Sequence, residues 1–228
     1  MTRAGRPDAL ARAAVEGIAS GMTVGLGTGR TASRAIRALA NRVADESMAI
    51  ACVATSHATE ALARTLGLRL VPLASVERVD VLVDGADEVD PALRMIKGRG
   101  GAMTEEKRVA RVSARRIYVV QSSKLVDRLG ESAPLPIEVT RSAIRFVRDA
   151  LADRDLVAEL RRTGEGVEFR TDSGNPVLDA VLPETDLREL AVALDAMSDV
   201  VGHGLFLDEA DLVLIEEEDG QVSRRSRG

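Results

Sequence analysis

The chain is poor in the residues that announce metals, disulfides and membranes. One cysteine in 228 residues excludes an internal disulfide and any cysteine-rich zinc site. That residue, Cys52, sits in an apolar run (49–54) and reads as an inert core thiol. The two histidines, His57 and His203, have no companion at metal-ligand spacing. No apolar run approaches the 18 residues of a membrane span, and MTRAGRPDAL lacks the apolar core of a signal peptide, so the cytoplasm is the expected location. The formal net charge of −5 provides no basic face for nucleic acid or an anionic membrane. The basic residues 224–227 are read as a short disordered end.

What is present suffices for a soluble fold. The 45% hydrophobic content can build a buried core in one large domain, or in one domain plus a smaller one. Apolar periodicity predicts helices over 8–20, 32–43, 57–66 and 105–115. Strands are predicted over 22–26, 49–53, 68–71, 79–83, 93–96 and 117–121. This alternation implies a mostly parallel α/β sheet flanked by helices, Rossmann-like in class. Gly130 and two prolines mark a hinge. Strand 135–140, helix 142–162, strands 167–171 and 177–182, helix 186–197 and strand 200–204 then follow the βαββαβ order of a ferredoxin-like α+β unit. Residues 211–216, with a turn at Asp219-Gly220, read as a strand or hairpin returning to the first sheet. The expected domains are 1–130 plus 205–228, and an inserted small domain, 131–204.

Two glycine loops and an acidic strand end carry the chemistry. In Gly25-Leu26-Gly27-Thr28-Gly29-Arg30-Thr31, a strand turns into a helix through glycines. Backbone N–H groups and the helix dipole there suit an anion such as phosphate. Arg30 stands where the dinucleotide fingerprint needs a third glycine, no acid ends the second strand, and no Gly-Lys-Ser/Thr follows. A tight βα turn would explain the same glycines. Asp84-Gly85-Ala86-Asp87-Glu88 places acids at the end of a buried strand, where open parallel sheets bind ligands. Glu88 and Asp90 read as ordinary turn acids. Lys97-Gly98-Arg99-Gly100-Gly101 repeats the strand–glycine–helix pattern with a lysine suited to a sugar oxygen or developing oxyanion. Glu105 and Glu106, each taken singly, also fit a structural helix-start role. Lys124 is a candidate second cation for phosphate.

Seven segments, GLGTGRTA (25–32), VDGADEVD (83–90), IKGRGGAMTEEK (96–107), SSKLVDRLG (122–130), LPIEV (135–139), DSGNPVLD (172–179) and VGHGLF (201–206), together resemble the A-type ribose-5-phosphate isomerases. They run in that family's order along nearly the whole chain. The resemblance implies an α/β domain with a small ferredoxin-like domain, and aldose–ketose isomerisation of a sugar phosphate without metal or other cofactor. It implies Glu106 as general base, with Asp84, Asp87 and Lys97 holding and opening the sugar. Thr28, Gly29, Arg30 and Thr31 would form the phosphate loop, while Gly85, Ala86, Gly98, Arg99, Gly100 and Lys124 would line the substrate. A homodimer or homotetramer is the expected assembly.

Arg30 replaces the family's usual serine, and some members carry a lysine in the region of Arg6-Pro7-Asp8. Arg30 is therefore expected to supply the missing positive charge. Arg99 stands where glycine is frequent and is expected to point outward. The rival classes are an amino-sugar-phosphate deaminase, which would want a histidine partnered with acids, a non-enzymatic sugar-phosphate sensor, and a generic NAD-binding domain.

Overall fold

The computed structural model describes residues 8–227, so Arg6 and Pro7 of the first-helix region lie outside the described residues. In chain order the elements are α1 (Ala9–Val15), β1 (Thr23–Leu26), α2 (Arg30–Asp45), β2 (Ala51–Ala54), α3 (His57–Thr65) and β3 (Val79–Gly85). Next come β4 (Glu88–Val89), β5 (Met95–Ile96), α4 (Met103–Arg111), β6 (Ser113–Gln121), β7 (Leu135–Val139) and α5 (Ile144–Ala152). The last are β8 (Ala158–Leu160), β9 (Val177–Ala180), α6 (Leu187–Asp195), β10 (Val200–His203), β11 (Leu205–Phe206), β12 (Leu212–Glu216) and β13 (Val222–Ser226). No helix among the described residues is long and apolar enough to cross a membrane.

The chain forms two compact units. The first comprises the chain up to Gly85, Arg108–Ser123, and the chain from Ala210 onward. Its sheet runs β13-β12-β6-β3-β1-β2, with every pair parallel except β12–β13. The chain leaves β1 for β2 on one side, and the later parallel strands build outward from β3 on the other. The β1/β3 pair is therefore the switch point, where the carboxyl ends of strands flank a crevice. Leu26 and Val83 are register partners, which brings Gly27 beside Asp84. Val24, Leu26, Cys52, Val81 and Val83 pack against Leu10, Ile36 and Leu39 of the helices. Burial pushes the Cys52 thiol up to about 12, so it stays protonated and unreactive.

Arg34 of α2 ties three pieces of this unit together. It reaches Asp8 at 2.6 and 2.8 Å, and Glu216 at 2.8 and 2.6 Å. Burial is the largest influence on Asp8 and opposes its charge. The Arg34 hydrogen bonds, the Ala11 N–H and the guanidinium charge together outweigh it and hold the carboxyl below its ordinary range.

The second unit comprises Ala86–Lys107 and Lys124–Glu209. Contacts thus place 86–107 and 124–130 here, where the sequence-based division at 130/131 puts them in the first domain. Its four-stranded sheet runs β10-β7-β9-β8, all antiparallel, in the chain order β7-α5-β8-β9-α6-β10. This is the expected ferredoxin-like βαββαβ arrangement. Leu135, Ile137, Leu178 and Ala180 pack against Val147 and Leu151 of α5 and Leu190 and Leu194 of α6. A small sheet, β11-β5-β4, completes the unit.

Six local expectations need correction. The helix predicted over 8–20 ends at Val15, and the one over 105–115 ends at Arg111, with Ser113 already in β6. Residues 68–71 do not form a strand: Cys52 pairs with Leu70 through one bridge, and Pro72, which has no N–H, ends the pairing. The helix predicted over 142–162 stops at Ala152. Asp155 turns to φ +60°, and Leu156 goes into the core while its N–H caps Leu151 O at 3.0 Å. Residues 167–171 make isolated bridges, Arg162 to Glu168 and Arg170 to Pro176, rather than a strand. Residues 224–227 are not disordered, since Arg224, Arg225 and Ser226 belong to β13, paired antiparallel to β12. Backbone pairing orders them while their side chains remain largely in solvent.

Candidate active site

In the first unit, Gly27 follows β1 and lies against Asp84 at the end of β3. A Cβ on Gly27 would fall 2.1 Å from Asp84 Oδ1 and 2.4 Å from Asp84 Cα, so only glycine fits. Asp84 is fully buried, and its Oδ1 accepts from Thr28 N at 3.0 Å and Gly85 N at 2.7 Å. The acid and the glycine loop thus fix each other. Gly29 adopts φ +103° and caps α2 with no side-chain hydrogen bond to its first-turn amides. An amide-rich start to a 16-residue helix is suited to an anion. Arg30, its first residue, is exposed, and Thr31 is half-buried.

Thr28 belongs to a hydroxyl cluster that sequence reading missed. Its Oγ1 lies 2.8 Å from Thr55 Oγ1, 2.8 Å from Ser56 Oγ and 3.3 Å from Thr59 Oγ1. Thr59 donates to Gly27 O at 2.9 Å, and Thr55 to Leu26 O at 3.1 Å. The Thr-Ser-x-x-Thr spacing that caps α3 after β2 was the available signal.

In the second unit, β4 and β5 pair with Glu88 opposite Ile96, and Asp87 N donates to Ile96 O at 2.8 Å. Asp87 Oδ2 accepts from Arg99 N at 2.9 Å, holding the lysine–glycine loop. Lys97 is 2% exposed and Glu106 4%, with Nζ 3.3 Å from Oε2. The Lys97 ammonium also lies 5.5 Å from the Phe206 ring centroid. Gly204 lets β11 approach closely, because a Cβ there would stand 2.2 Å from Lys97 O. Glu105, by contrast, is only partly buried. Local pattern did not separate these two acids; the resemblance chose Glu106, and burial distinguishes them in the same sense. Gly98 turns the loop at φ +107°, Gly100 and Arg99 are exposed, and Lys124 ends a half-buried 3-10 turn (Ser122–Lys124).

Glu88 and Asp90 are not solvated turn acids, since both are fully buried. Asp90 takes Ala92 N at 2.9 Å, Arg94 N at 2.9 Å and Arg94 Nε at 2.6 Å. Glu88 accepts from Gly130 N (2.6 Å), Ser132 Oγ (2.9 Å), Ala133 N (2.7 Å) and Ser132 N. Sequence reading also missed Glu138 on β7. This buried acid accepts from Thr104, two residues before Glu106, as well as from Thr171 at 2.8 Å and Asn175 at 3.0 Å. It joins the start of α4 to the 172–175 turn.

His203 is buried and lies beside Lys107 (3.3 Å) and Asp195 (3.1 Å). Its Nδ1 accepts from Leu205 N at 3.2 Å, which assigns the ring proton to Nε2, facing Asp195. His57 opens α3 and is exposed.

The amide-lined loop of the first unit is suited to an anion, and the buried Glu106–Lys97 pair of the second is suited to moving a proton, both on an α/β fold. Comparison narrows this reading. A sequence profile for "Ribose 5-phosphate isomerase A (phosphoriboisomerase A)" matches residues 51–220. The ribose-5-phosphate isomerase A of Sphingopyxis alaskensis is 45% identical over 216 residues, covering 94% of this chain and 93% of that one. The solved ribose 5-phosphate isomerase A of Methanocaldococcus jannaschii superposes with a TM-score of 0.91 at 36% identity, over 96% of both chains. A D-ribose-5-phosphate isomerase structure in complex with phospho-erythronic acid gives 0.92 at 35% identity, again over 96% of both. The chain belongs to the ribose 5-phosphate isomerase A family.

Proposed function

We propose that this chain interconverts D-ribose 5-phosphate and D-ribulose 5-phosphate through an enediolate, within the non-oxidative pentose phosphate pathway. The observation that carries the reading is the Glu106–Lys97 pair. Burying two charges is costly, and chemistry gives a reason to keep them. Glu106 takes the proton from one sugar carbon and returns it to the next. Lys97 meets the oxygen on which charge develops. Asp84 or Asp87, with Lys97, assists ring opening. The carbon-bound proton moves from C2 to Glu106 and on to C1, and the hydroxyl proton passes from the C2 oxygen to the C1 oxygen. Lys97 meets the charge on the enediolate oxygen, so the scheme as proposed invokes no metal or organic cofactor.

Thr28, Gly29, Arg30 and Thr31 take the phosphate with Lys124, while Gly85, Ala86, Gly98, Arg99 and Gly100 line the sugar. That a relative was solved with phospho-erythronic acid supports an anionic substrate of this size. We retain a homodimer or homotetramer in the cytoplasm as part of the proposal, with 131–204 as the small ferredoxin-like domain within the second unit.

The test is a coupled assay of ribose 5-phosphate conversion run with EDTA. Turnover is the expected result. Tight sugar-phosphate binding without turnover would instead favour a sensor. In the same assay Arg30→Ser is expected to raise KM and leave kcat in place. An unchanged KM would remove Arg30 from the phosphate loop.

A further inference from the structure

The lysine–glycine loop is held by a side chain far from it in sequence. Arg161, just after β8, grips Asp179 of β9 with two prongs, Nε to Oδ2 at 2.8 Å and Nη2 to Oδ1 at 2.5 Å. Its remaining nitrogen, Nη1, donates to Gly98 O at 2.8 Å and to Arg99 O at 3.0 Å. The Phe169 ring lies 5.3 Å from the guanidinium. That ring also occupies the place of a side chain on Gly101, whose Cβ would stand 2.5 Å from it. With its side chain 11% exposed, Arg161 has little freedom to leave this position.

The consequence follows from peptide geometry. Across a trans peptide the C=O and the next N–H point in opposite directions. Turning Gly98 O toward Arg161 sends the Arg99 N–H the other way, where it meets Asp87 Oδ2 at 2.9 Å. Turning Arg99 O toward the same nitrogen sends the Gly100 N–H away from Arg161 as well. The Gly101 N–H is spent inside the turn, on Gly98 O at 2.9 Å. The β-ladder does not need the Arg161 side chain, because its backbone is already paired with Val177 O and Phe169 N at 2.8 and 2.9 Å.

We infer that Arg161, locked by Asp179, is a positioning residue for the isomerisation. It sets the Arg99–Gly100 peptide plane so that the Gly100 N–H stands preset as a donor to a sugar oxygen. A donor already oriented costs no reorganisation when charge develops on that oxygen. This inference rests on the activity proposed above and deepens it.

The test compares the full chain with Arg161→Lys, Arg161→Ala and Asp179→Asn, with Glu106→Gln as a reference. kcat and KM for ribose 5-phosphate are measured at a temperature where circular dichroism finds every variant folded. Lysine has no planar fork, so it cannot hold Asp179 and both carbonyls together. For the two Arg161 variants kcat is expected to fall about 10- to 100-fold, while KM moves by less than about three-fold. Asp179→Asn should fall in the same direction but less far. Ethylguanidinium should restore part of the Arg161→Ala turnover and none of that of Glu106→Gln. If Arg161→Ala does not fold, Arg161→Lys decides. An active wild type with kcat of the folded Arg161 variants within about two-fold of it would overturn this inference alone. A wild type without isomerase activity would overturn the proposed activity and this inference with it.

Discussion

Glu106→Gln is expected to fold as the parent does and to lose on the order of 10²–10⁴-fold in kcat. The substitution keeps the shape of the side chain, and the amide oxygen can still accept from the Lys97 ammonium, 3.3 Å away in the parent. It removes the one property the proposed mechanism needs, a carboxylate that can take up a proton and return it. KM should change little, because the lost interaction belongs to the transition state. Steady-state turnover of ribose 5-phosphate, with near-ultraviolet circular dichroism as the folding control, measures both. Turnover close to wild type would take the general-base role away from Glu106. Glu105→Gln, altering the more accessible neighbour, should stay within about two-fold of wild type.

Glu88→Ala is expected to cost roughly 4 kcal/mol of unfolding free energy without touching the chemistry directly. In the parent, Glu88 accepts four hydrogen bonds, three of them from backbone amides of the 130–133 segment. Truncation leaves those amides without their acceptor and opens a cavity at a fully buried position. Glu88→Gln should lose less, about 2 kcal/mol, because its NH2 end must face at least one N–H donor while its oxygen still serves the others. Urea denaturation followed by circular dichroism separates these values. A midpoint for Glu88→Ala equal to that of wild type would contradict this account of the residue.

Elements governed by local pattern were legible in the sequence. The apolar runs at 22–26, 79–83, 117–121 and 211–216 became β1, β3, β6 and β12, because strands buried on both faces need little beyond continuous hydrophobicity. The βαββαβ order was readable for a similar reason. What failed depended on tertiary detail. Leu156 and Leu160 continue an apolar periodicity past Ala152, yet Leu156 is needed in the core and Leu160 lies in β8. The Asp219-Gly220 turn did allow a hairpin, but the basic composition of 224–227 argued for a disordered end, and the pairing of Arg224 and Arg225 with Leu214 and Val213 decides for the strand.

The candidate site divides in the same way. Thr28, Asp84 and Lys97 were visible because glycine spacing and strand ends are local signals, whereas Glu106 was singled out by the family resemblance. The residues that hold them were not. Glu138 meets Thr104 across 34 positions, Lys107 meets Leu205 across 98, and Arg161 meets Gly98 across 63. Glu88 looked like a turn acid for the same reason, because its partners come 42 to 45 residues later.

The last strand also bears on how the protein behaves in concentrated solution. β12 is among the most apolar strands of its sheet, with Val213, Leu214 and Ile215 fully buried. Left uncovered, its unpaired N–H and C=O groups would template the addition of a strand from another molecule. β13 occupies that side and presents Arg224 and Arg225 toward solvent instead. Two arginines on an outermost strand repel their counterparts on a neighbouring copy and resist edge-to-edge stacking. Arg224 and Arg225 on this outermost strand are thus the kind of charge that disfavours edge-to-edge pairing.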